Sequence, residues 1–295
     1  MKSVTEITFS PAFLEITGVS EDQVRALLLQ AVELHLGGLH EGKGIILKNA
    51  PESAVTIVEL PGEIRVCVKE FRSRGYLYSL KSLFRPSQGI RALRNGMLLE
   101  KAGVGVARPL ALICRKRFGL VTREWVIMEV LPDGLELDRY VLKRSETAWP
   151  ADERRGLARL LGRFIGSMHA VGIFHADMKT CNIVVTEEPP LSDRSSPEDG
   201  ARTGNPKFFL LDYDDVRSIP QVGRRLRCKT LLQLFLSTPL ALGRSDRLRF
   251  LSEYALHVGM NRRDRRETAL AVLAEAAGRR ILYVGWDGDV TENWD

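Results

Sequence analysis

The stretch His175-Ala176-Asp177-Met178-Lys179-Thr180-Cys181-Asn182 gathers a carboxylate, an ammonium group and an amide. The apolar run Phe208-Phe209-Leu210-Leu211 farther along ends in a second carboxylate, Asp212. This set suits phosphoryl transfer, in which protein groups hold an acceptor hydroxyl in line with a phosphate and neutralise charge spreading over its oxygens. Asp177 would accept or orient the hydroxyl proton. Lys179, two residues on and facing the same way in an extended loop, would lie against the γ-phosphate. Mg2+ prefers oxygen ligands and keeps several waters, so the Asn182 amide oxygen and the Asp212 carboxylate would hold it together with phosphate oxygens. His175 reads as an anchor for the loop rather than a proton carrier. A lone Asp in a loop most often caps a turn; the joint order and spacing carry the reading.

Upstream, residues 64–71 (Ile-Arg-Val-Cys-Val-Lys-Glu-Phe) alternate with a period of two, which puts Cys67 and Lys69 on one face of a strand and Val66 and Val68 on the other. Val66-Cys67-Val68-Lys69 resembles the third-strand Val-Ala-Ile-Lys of protein kinases. On that resemblance Lys69 pairs with the α- and β-phosphates of ATP and Cys67 lies over the adenine. Residues 125–134, an apolar strand running into Pro132-Asp133-Gly134, look like the kinase hinge. There the backbone from Glu129 to Leu131 would hydrogen-bond the adenine, with Met128 behind it. The implied cofactors are ATP and Mg2+.

With Arg91-Ala92-Leu93-Arg94-Asn95-Gly96, residues 103–110 (Gly-Val-Gly-Val-Ala-Arg-Pro-Leu), Leu211-Asp212-Tyr213-Asp214 and the basic run 224–231, the chain resembles the lipopolysaccharide kinases that act on Kdo or heptose of the inner core, over roughly residues 45–255. The resemblance implies a bilobal, protein-kinase-like fold and phosphorylation of a sugar hydroxyl. The acceptor would be a lipid-linked oligosaccharide at the inner face of the cytoplasmic membrane.

The chain departs from protein kinases at several points. The helix expected near residues 87–101 carries Ala92 and Leu93 where an acid would pair Lys69, and Glu100 is its only acid. Counting strands back from Lys69 places the phosphate-covering loop at residues 49–54, which hold no glycine. Tyr213-Asp214 stands where Phe-Gly would follow the metal Asp, with Asp214 read as a turn cap. No Ala-Pro-Glu follows, so a peptide-binding activation segment is not expected.

The elements that would position these residues follow from periodicity and turn chemistry. Ser20-Glu21-Asp22-Gln23 opens a helix with Val24, Leu27, Leu28 and Ala31 on one stripe. Strands near 44–48, 55–60, 64–71, 108–114 and 124–131 make a small antiparallel sheet. Leu157, Leu160, Leu161, Phe164, Ile165 and Met168 form the buried stripe of a helix leading into His175. Residues 186–207, with Pro189-Pro190 and Ser195-Ser196-Pro197, read as a long hairpin tip. The acidic, Trp-bearing end, residues 286–295, reads as a fraying tail. The expected fold is α+β: an ATP-binding N-terminal lobe over residues 1–131 with a small antiparallel sheet, and a mainly helical C-terminal lobe over residues 132–295 that carries the catalytic loop and metal Asp.

Composition bounds the rest. The 295 residues, 44% hydrophobic and 27% charged, fall in the ordinary globular range. Cys67, Cys114, Cys181 and Cys228 are isolated, which favours a reducing compartment over a zinc or disulfide framework. No run approaches the ~18 apolar residues of a spanning helix, so a cytoplasmic protein is expected, peripheral at the membrane. The net charge of +6 points to an anionic partner. The basic clusters are Arg72, Arg74, Lys81 and Arg85; Arg224, Arg225, Arg227 and Lys229; and Arg262, Arg263, Arg265 and Arg266. Anionic lipid headgroups or a phosphorylated glycolipid would satisfy them. Nucleic acid is not expected, because no binding module is recognisable. Two other classes compete: a small-molecule phosphotransferase of the aminoglycoside or choline kinase type, which would want an acidic acceptor pocket, and a non-catalytic kinase-like binding protein.

Overall fold

In the computed structural model, which describes residues 4–72, 86–188, 205–285 and 290–294, six strands with period-two alternation pair into one sheet. They are β1 (Val4–Phe9), β2 (Ile45–Ala50), β3 (Ser53–Leu60), β4 (Ile64–Arg72), β5 (Pro109–Arg117) and β6 (Leu120–Glu129). Every neighbour in the order β1-β5-β6-β4-β3-β2 is antiparallel. Short turns close the hairpins. Phe118 and Gly119, at φ 55° and 75°, join β5 to β6, the positive φ at both positions being that of a type I′ hairpin turn. Between β2 and β3 only Pro51-Glu52 lies outside the strands, because Asn49 pairs with Ala54 and Ala50 with Ser53. The loop expected over residues 49–54 is therefore a tight turn. β1 is a strand the sequence pattern did not announce; Ile7 and Phe9 pack on the core, and pairing with β5 supplies the rest.

One sheet face is covered by α1 (Pro11–Thr17) and α2 (Glu21–Glu41). The Gln23 side chain accepts from Ser20 N at 3.0 Å and fixes the start of α2. Val24, Leu28 and Ala31 bury against Val66 and Val68 of β4, Ala111 and Ile113 of β5, and Trp125 and Ile127 of β6. Each large side chain so buried contributes on the order of 2 kcal/mol. The opposite parity, Leu112 and Glu124, meets α3 (Gln88–Lys101), whose Gly89 would place a Cβ 2.6 Å from the Leu112 side chain. Cys67 and Lys69 belong to this second face by the same alternation.

Two compact units divide the chain: residues 1–101 with 107–131, and residues 102–106 with 132–295. The second unit holds α4 (Leu137–Ser145), α5 (Ala151–Ala170), α6 (Arg224–Ser237), α7 (Arg244–His257) and α8 (Arg262–Ala276). Its small sheets are β10-β9-β7, from Asn205–Leu210, Ile183–Glu188 and Leu135–Glu136, and β11-β8, from Val216–Ser218 and Ile173–His175. Leu157, Leu161, Ile165 and Met168 of α5 are buried as their spacing demands. Gly162 and Gly166, one turn apart, let α5 approach α7 closely: a Cβ on Gly162 would stand 2.4 Å from the Phe250 carbonyl oxygen, and one on Gly166 2.7 Å from His257 Cβ.

Two expectations change here. The β9–β10 ladder continues out to Glu188 and Asn205, so both ends of the expected tip 186–207 are strand. Residues 189–204 lie outside the described residues. The chain end is not a fraying tail: β12 (Arg280–Val284) and β13 (Val290–Trp294) form an antiparallel pair, since backbone ladder bonds satisfy groups that a loose end would leave to water. Residues 286–289 of the acidic segment lie outside the described residues.

Candidate active site

β8 delivers His175, and the chain then turns through Ala176–Lys179 into a 3-10 turn, Thr180–Asn182, which runs into β9. His175 is fully buried. Its Nδ1 accepts from Asp177 N at 3.2 Å, so the proton sits on Nε2, which donates to the Leu211 carbonyl at 3.1 Å. Burial pushes the imidazole pKa below its ordinary value, and the ring stays neutral as an anchor.

The Asp177 carboxylate is half-exposed and surrounded by donors. Lys179 Nζ lies 3.0 Å from Oδ1 and 3.1 Å from Oδ2. Asn182 Nδ2 donates to the Asp177 carbonyl at 2.8 Å and lies 3.5 Å from Oδ2. With Nδ2 on that carbonyl, which also accepts from Lys179 N at 3.1 Å, the Asn182 amide oxygen has Cys181 Sγ at 4.0 Å and is the atom that would ligate a cation. The Asn182 carbonyl in turn accepts from Leu211 N at 2.8 Å. Leu211 is thus held at its N–H by Asn182 and at its C=O by His175, and the next residue is Asp212. Asp212 adopts φ 51°, a left-handed conformation that costs on the order of 1 kcal/mol for a non-glycine residue and recurs at functional sites. The loop 102–106 braces the same hairpin: Leu210 N donates to Gly105 O at 2.9 Å. Any Cβ on Gly105 would collide with the Phe208 carbonyl at 2.1 Å.

Helix α6 supplies a support that sequence reasoning missed. Gln233 Oε1 accepts from Met178 N at 3.1 Å, and its Nε2 donates to Ala176 O at 3.1 Å and lies 3.4 Å from Asp177 Oδ1. One turn on, Ser237 Oγ accepts from Thr180 N at 3.0 Å, and its carbonyl accepts from Thr180 Oγ1 at 2.6 Å. A signal was present: Thr230, Gln233 and Ser237 are polar residues at helical spacing within Leu231, Leu232, Leu234, Phe235 and Leu236. The basic run 224–231 and this apolar run are one helix.

The structure therefore brings Asp177, Lys179 and Asn182 into one hydrogen-bonded group and places Asp212 at the adjoining end of the β9–β10 ladder. An oxygen set with one carboxylate and one amide suits a hard cation that also takes phosphate oxygens. Among the described residues no cluster of three or more His, Cys, Asp or Glu could hold a metal ion by itself.

The remaining expected site residues lie in the first unit. Strand register sets Cys67 opposite Met128, Val66 opposite Glu129 and Lys69 opposite Val126. Burial pushes the Cys67 thiol up to about 12, against the pull of the Lys69 charge, so the side chain is a neutral, apolar neighbour. Lys69 Nζ stands 4.8 Å over the Phe71 ring. The Glu129 N–H is spent on the Arg108 carbonyl at 2.9 Å, and its carboxylate accepts from Arg108 Nε at 3.2 Å. Among the expected adenine contacts Glu129 can therefore offer its carbonyl but not its N–H, while the Leu131 N–H makes no hydrogen bond among the described residues. Glu100 faces Arg108 at 3.9 Å. The first turn of α3 is held by Glu124 of β6, which accepts from Ser87 Oγ and from Gly89 N at 3.2 Å.

Several expected surface cations have internal partners. Arg72 binds Glu70 and the Ala50 carbonyl, Arg227 donates to the Val222 carbonyl, and Arg224 and Arg263 both pair with Glu267. Arg225, Arg262 and Arg266 are exposed, while Arg74, Lys81 and Arg85 lie outside the described residues. No described helix is long and apolar enough to cross a membrane.

Comparison with known proteins fits this geometry. Over a 157-residue stretch the chain is 24% identical to the lipopolysaccharide core heptose(I) kinase WaaP of Pseudomonas aeruginosa. The aligned part covers 53% of this chain and 55% of that protein, about half the length of the curated relative. Among solved structures it is similar to WaaP in complex with acyl carrier protein, at TM-score 0.54 and 21% identity, covering 92% of this chain and 94% of that one. That likeness makes the fold protein-kinase-like. A Rio2 kinase–ADP/Mg2+–phosphoaspartate complex from Chaetomium thermophilum lies farther off, at TM-score 0.44 and 16% identity over 83% of this chain and 75% of that one. The sequence model of the lipopolysaccharide kinase (Kdo/WaaP) family matches residues 73–254, more than half of the chain. The chain belongs to the lipopolysaccharide kinase (Kdo/WaaP) family.

Proposed function

We propose that the chain is an ATP- and Mg2+-dependent kinase that phosphorylates a sugar hydroxyl, of heptose or Kdo, on the lipopolysaccharide inner core. The observation that carries this reading is the Asp177–Lys179–Asn182 group with Asp212 beside it. Asp177 orients the acceptor hydroxyl and takes its proton as the oxygen attacks the γ-phosphate, whose bond to the β,γ-bridging oxygen breaks and releases ADP. Lys179, which reaches both carboxylate oxygens of Asp177, turns to the γ-phosphate and offsets its charge. Asn182 and Asp212 would hold Mg2+, which when bound would supply positive charge against the phosphates. In the first unit, the ATP-binding lobe on this reading, Lys69 contacts the α- and β-phosphates, Cys67 and Met128 line the adenine, and the Glu129 carbonyl and Leu131 N–H meet its edge.

The acceptor is lipid-linked, so the chain would work peripherally at the inner face of the cytoplasmic membrane. Exposed Arg225, Arg262 and Arg266 suit an anionic surface. They also argue against the aminoglycoside or choline type of phosphotransferase, whose cationic substrates want acids. Retention of Lys69, Asp177, Asn182 and Asp212 argues against a non-catalytic binding protein. Thermal melts with ATP and Mg2+ test the nucleotide part: at about 100 times Kd, binding adds about 2.7 kcal/mol to the folded state. Melts unmoved by saturating ATP and Mg2+ would remove it.

A partner reading has its own observation. The second unit has an apolar pocket of about 370 Å³, partly open to solvent and lined by Leu161, Leu231, Leu234, Phe235 and Val272, with Arg247 at its wall. An acyl chain fits that lining, and an acyl carrier protein is what the similar WaaP is bound to. On this reading native mass spectrometry retains acyl-loaded carrier and loses unloaded carrier; equal retention of the two argues against it.

A further inference from the structure

The segment from Ala176 to Lys179 belongs to no strand, so its peptide groups need partners from elsewhere. Gln233 provides them on both sides of Asp177: it accepts from Met178 N and donates to Ala176 O, each at 3.1 Å, as a neighbouring peptide unit would in a sheet. Its Nε2 also lies 3.4 Å from Asp177 Oδ1, while Asn182 Nδ2 lies 3.5 Å from Oδ2. Two side-chain amides therefore flank the two carboxylate oxygens, and Lys179 touches both oxygens at 3.0 and 3.1 Å. Of these three groups only Lys179 is long, charged and half-exposed, and it is the one the proposed mechanism requires to swing toward phosphate. Gln233 is fixed on α6, with Ser237 one turn on gripping Thr180.

We infer that Gln233 is a positioning residue for the phosphoryl transfer: it holds the backbone on either side of Asp177 and, with Asn182, keeps the carboxylate aimed when Lys179 leaves it. This rests on Asp177 being the group that handles the acceptor proton. Gln233 does not touch substrate; it acts through Asp177. Misplacing a reacting group by about 1 Å costs on the order of 100-fold in rate, so a residue of this kind affects turnover more than nucleotide binding.

Two near-isosteric variants separate positioning from packing. Gln233→Met keeps the volume and loses every hydrogen bond. Gln233→Glu keeps the volume and the acceptor for Met178 N, but sets a carboxylate against Ala176 O and Asp177. Transfer from ATP to dephosphorylated lipopolysaccharide is measured for each, with ATP binding and melting temperature alongside. The expected result is a fall in kcat of about 10- to 100-fold in both variants, at least as large in Gln233→Glu as in Gln233→Met, with KM for ATP within about threefold of the parent. If kcat stays within about threefold of the parent in both, or if KM for ATP rises while ATP binding and melting temperature fall together with kcat, Gln233 does not position Asp177. Asp177→Asn, run in parallel, separates the failures: an active Asp177→Asn overturns the base assignment, whereas an inactive one beside an active Gln233→Met overturns only the role of Gln233.

Discussion

Glu70 and Lys69 are neighbours on β4 with opposite faces, and the stability of that strand can be read through Glu70. Its side chain is 1% exposed, 2.8 Å from Arg72 Nε, 3.4 Å from Arg123 Nε and 3.7 Å from His35 Nε2. Burial by itself would raise its pKa. The nearby His35 ring, the Arg72 hydrogen bond and the charges of Arg123 and Arg72 outweigh it and hold the carboxyl at about 2, against an ordinary 4.5. A carboxylate depressed in the folded state stabilises fully above its unfolded pKa and loses that contribution as pH falls through the folded one. The window here runs from about pH 4.5 down to about pH 2. At about 1.4 kcal/mol per pH unit, the contribution near neutrality is at most about 3 kcal/mol, and roughly half of it remains near pH 3. Glu70→Gln keeps the shape, removes the charge and leaves two guanidinium groups short of a partner. Urea titrations of parent and variant, followed by Trp fluorescence, should show a gap of about 2–3 kcal/mol at pH 7 that narrows below about pH 4.5. A variant as stable as the parent at neutral pH, or a gap that stays constant into acid, would refute the electrostatic account of this strand.

Two further outcomes follow from packing and burial. Gly162→Ala places a Cβ 2.4 Å from a backbone oxygen of α7, so the helices must part. We expect a loss of about 2 kcal/mol, seen as a lower melting temperature, while Gly156→Ala on the same helix meets nothing within 4 Å and gains a few tenths to about 1 kcal/mol. The Cys67, Cys114 and Cys181 thiols are each pushed up to about 12, with burial the first cause. Peptide mapping after iodoacetamide treatment near pH 8 should find buried Cys114 unmodified and partly exposed Cys67 and Cys181 slower to react than a free thiol, and alkylation of Cys114 at the rate of a free thiol would contradict its burial.

The 175–182 loop was legible as a candidate site because its polar residues are contiguous. His175, Asp177, Lys179 and Asn182 lie in one stretch, and only Asp212 had to be brought in by a hairpin whose two apolar runs announced it. Helix stripes such as Leu157 to Met168 were legible for the same reason, being local and periodic. What escaped was set by tertiary pairing. Gln233 lies 56 residues from Asp177 in sequence, and an amide among leucines carries no catalytic signature until α6 is seen against the loop. Glu124 holds the first turn of α3 from a neighbouring strand, which no count along the helix would reveal. The β1 strand shows only Ile7 and Phe9 to the core and gains its order from β5. Residues 49–54, expected as a loop, were already paired across Pro51-Glu52, because the alternation of Ser53 to Leu60 extends the ladder to the turn.

The central claim is that Asp177 handles the acceptor proton in transfer from ATP to a lipopolysaccharide sugar. Its most direct test is single-turnover transfer of labelled γ-phosphate to dephosphorylated lipopolysaccharide by the parent and by Asp177→Asn, with ATP binding measured on the same samples. Asp177→Asn keeps the size and the Asp177 backbone contacts to His175 and Asn182. It should bind ATP and Mg2+ like the parent yet transfer at least about 100-fold more slowly. Transfer at the parental rate with ATP binding intact would contradict the account.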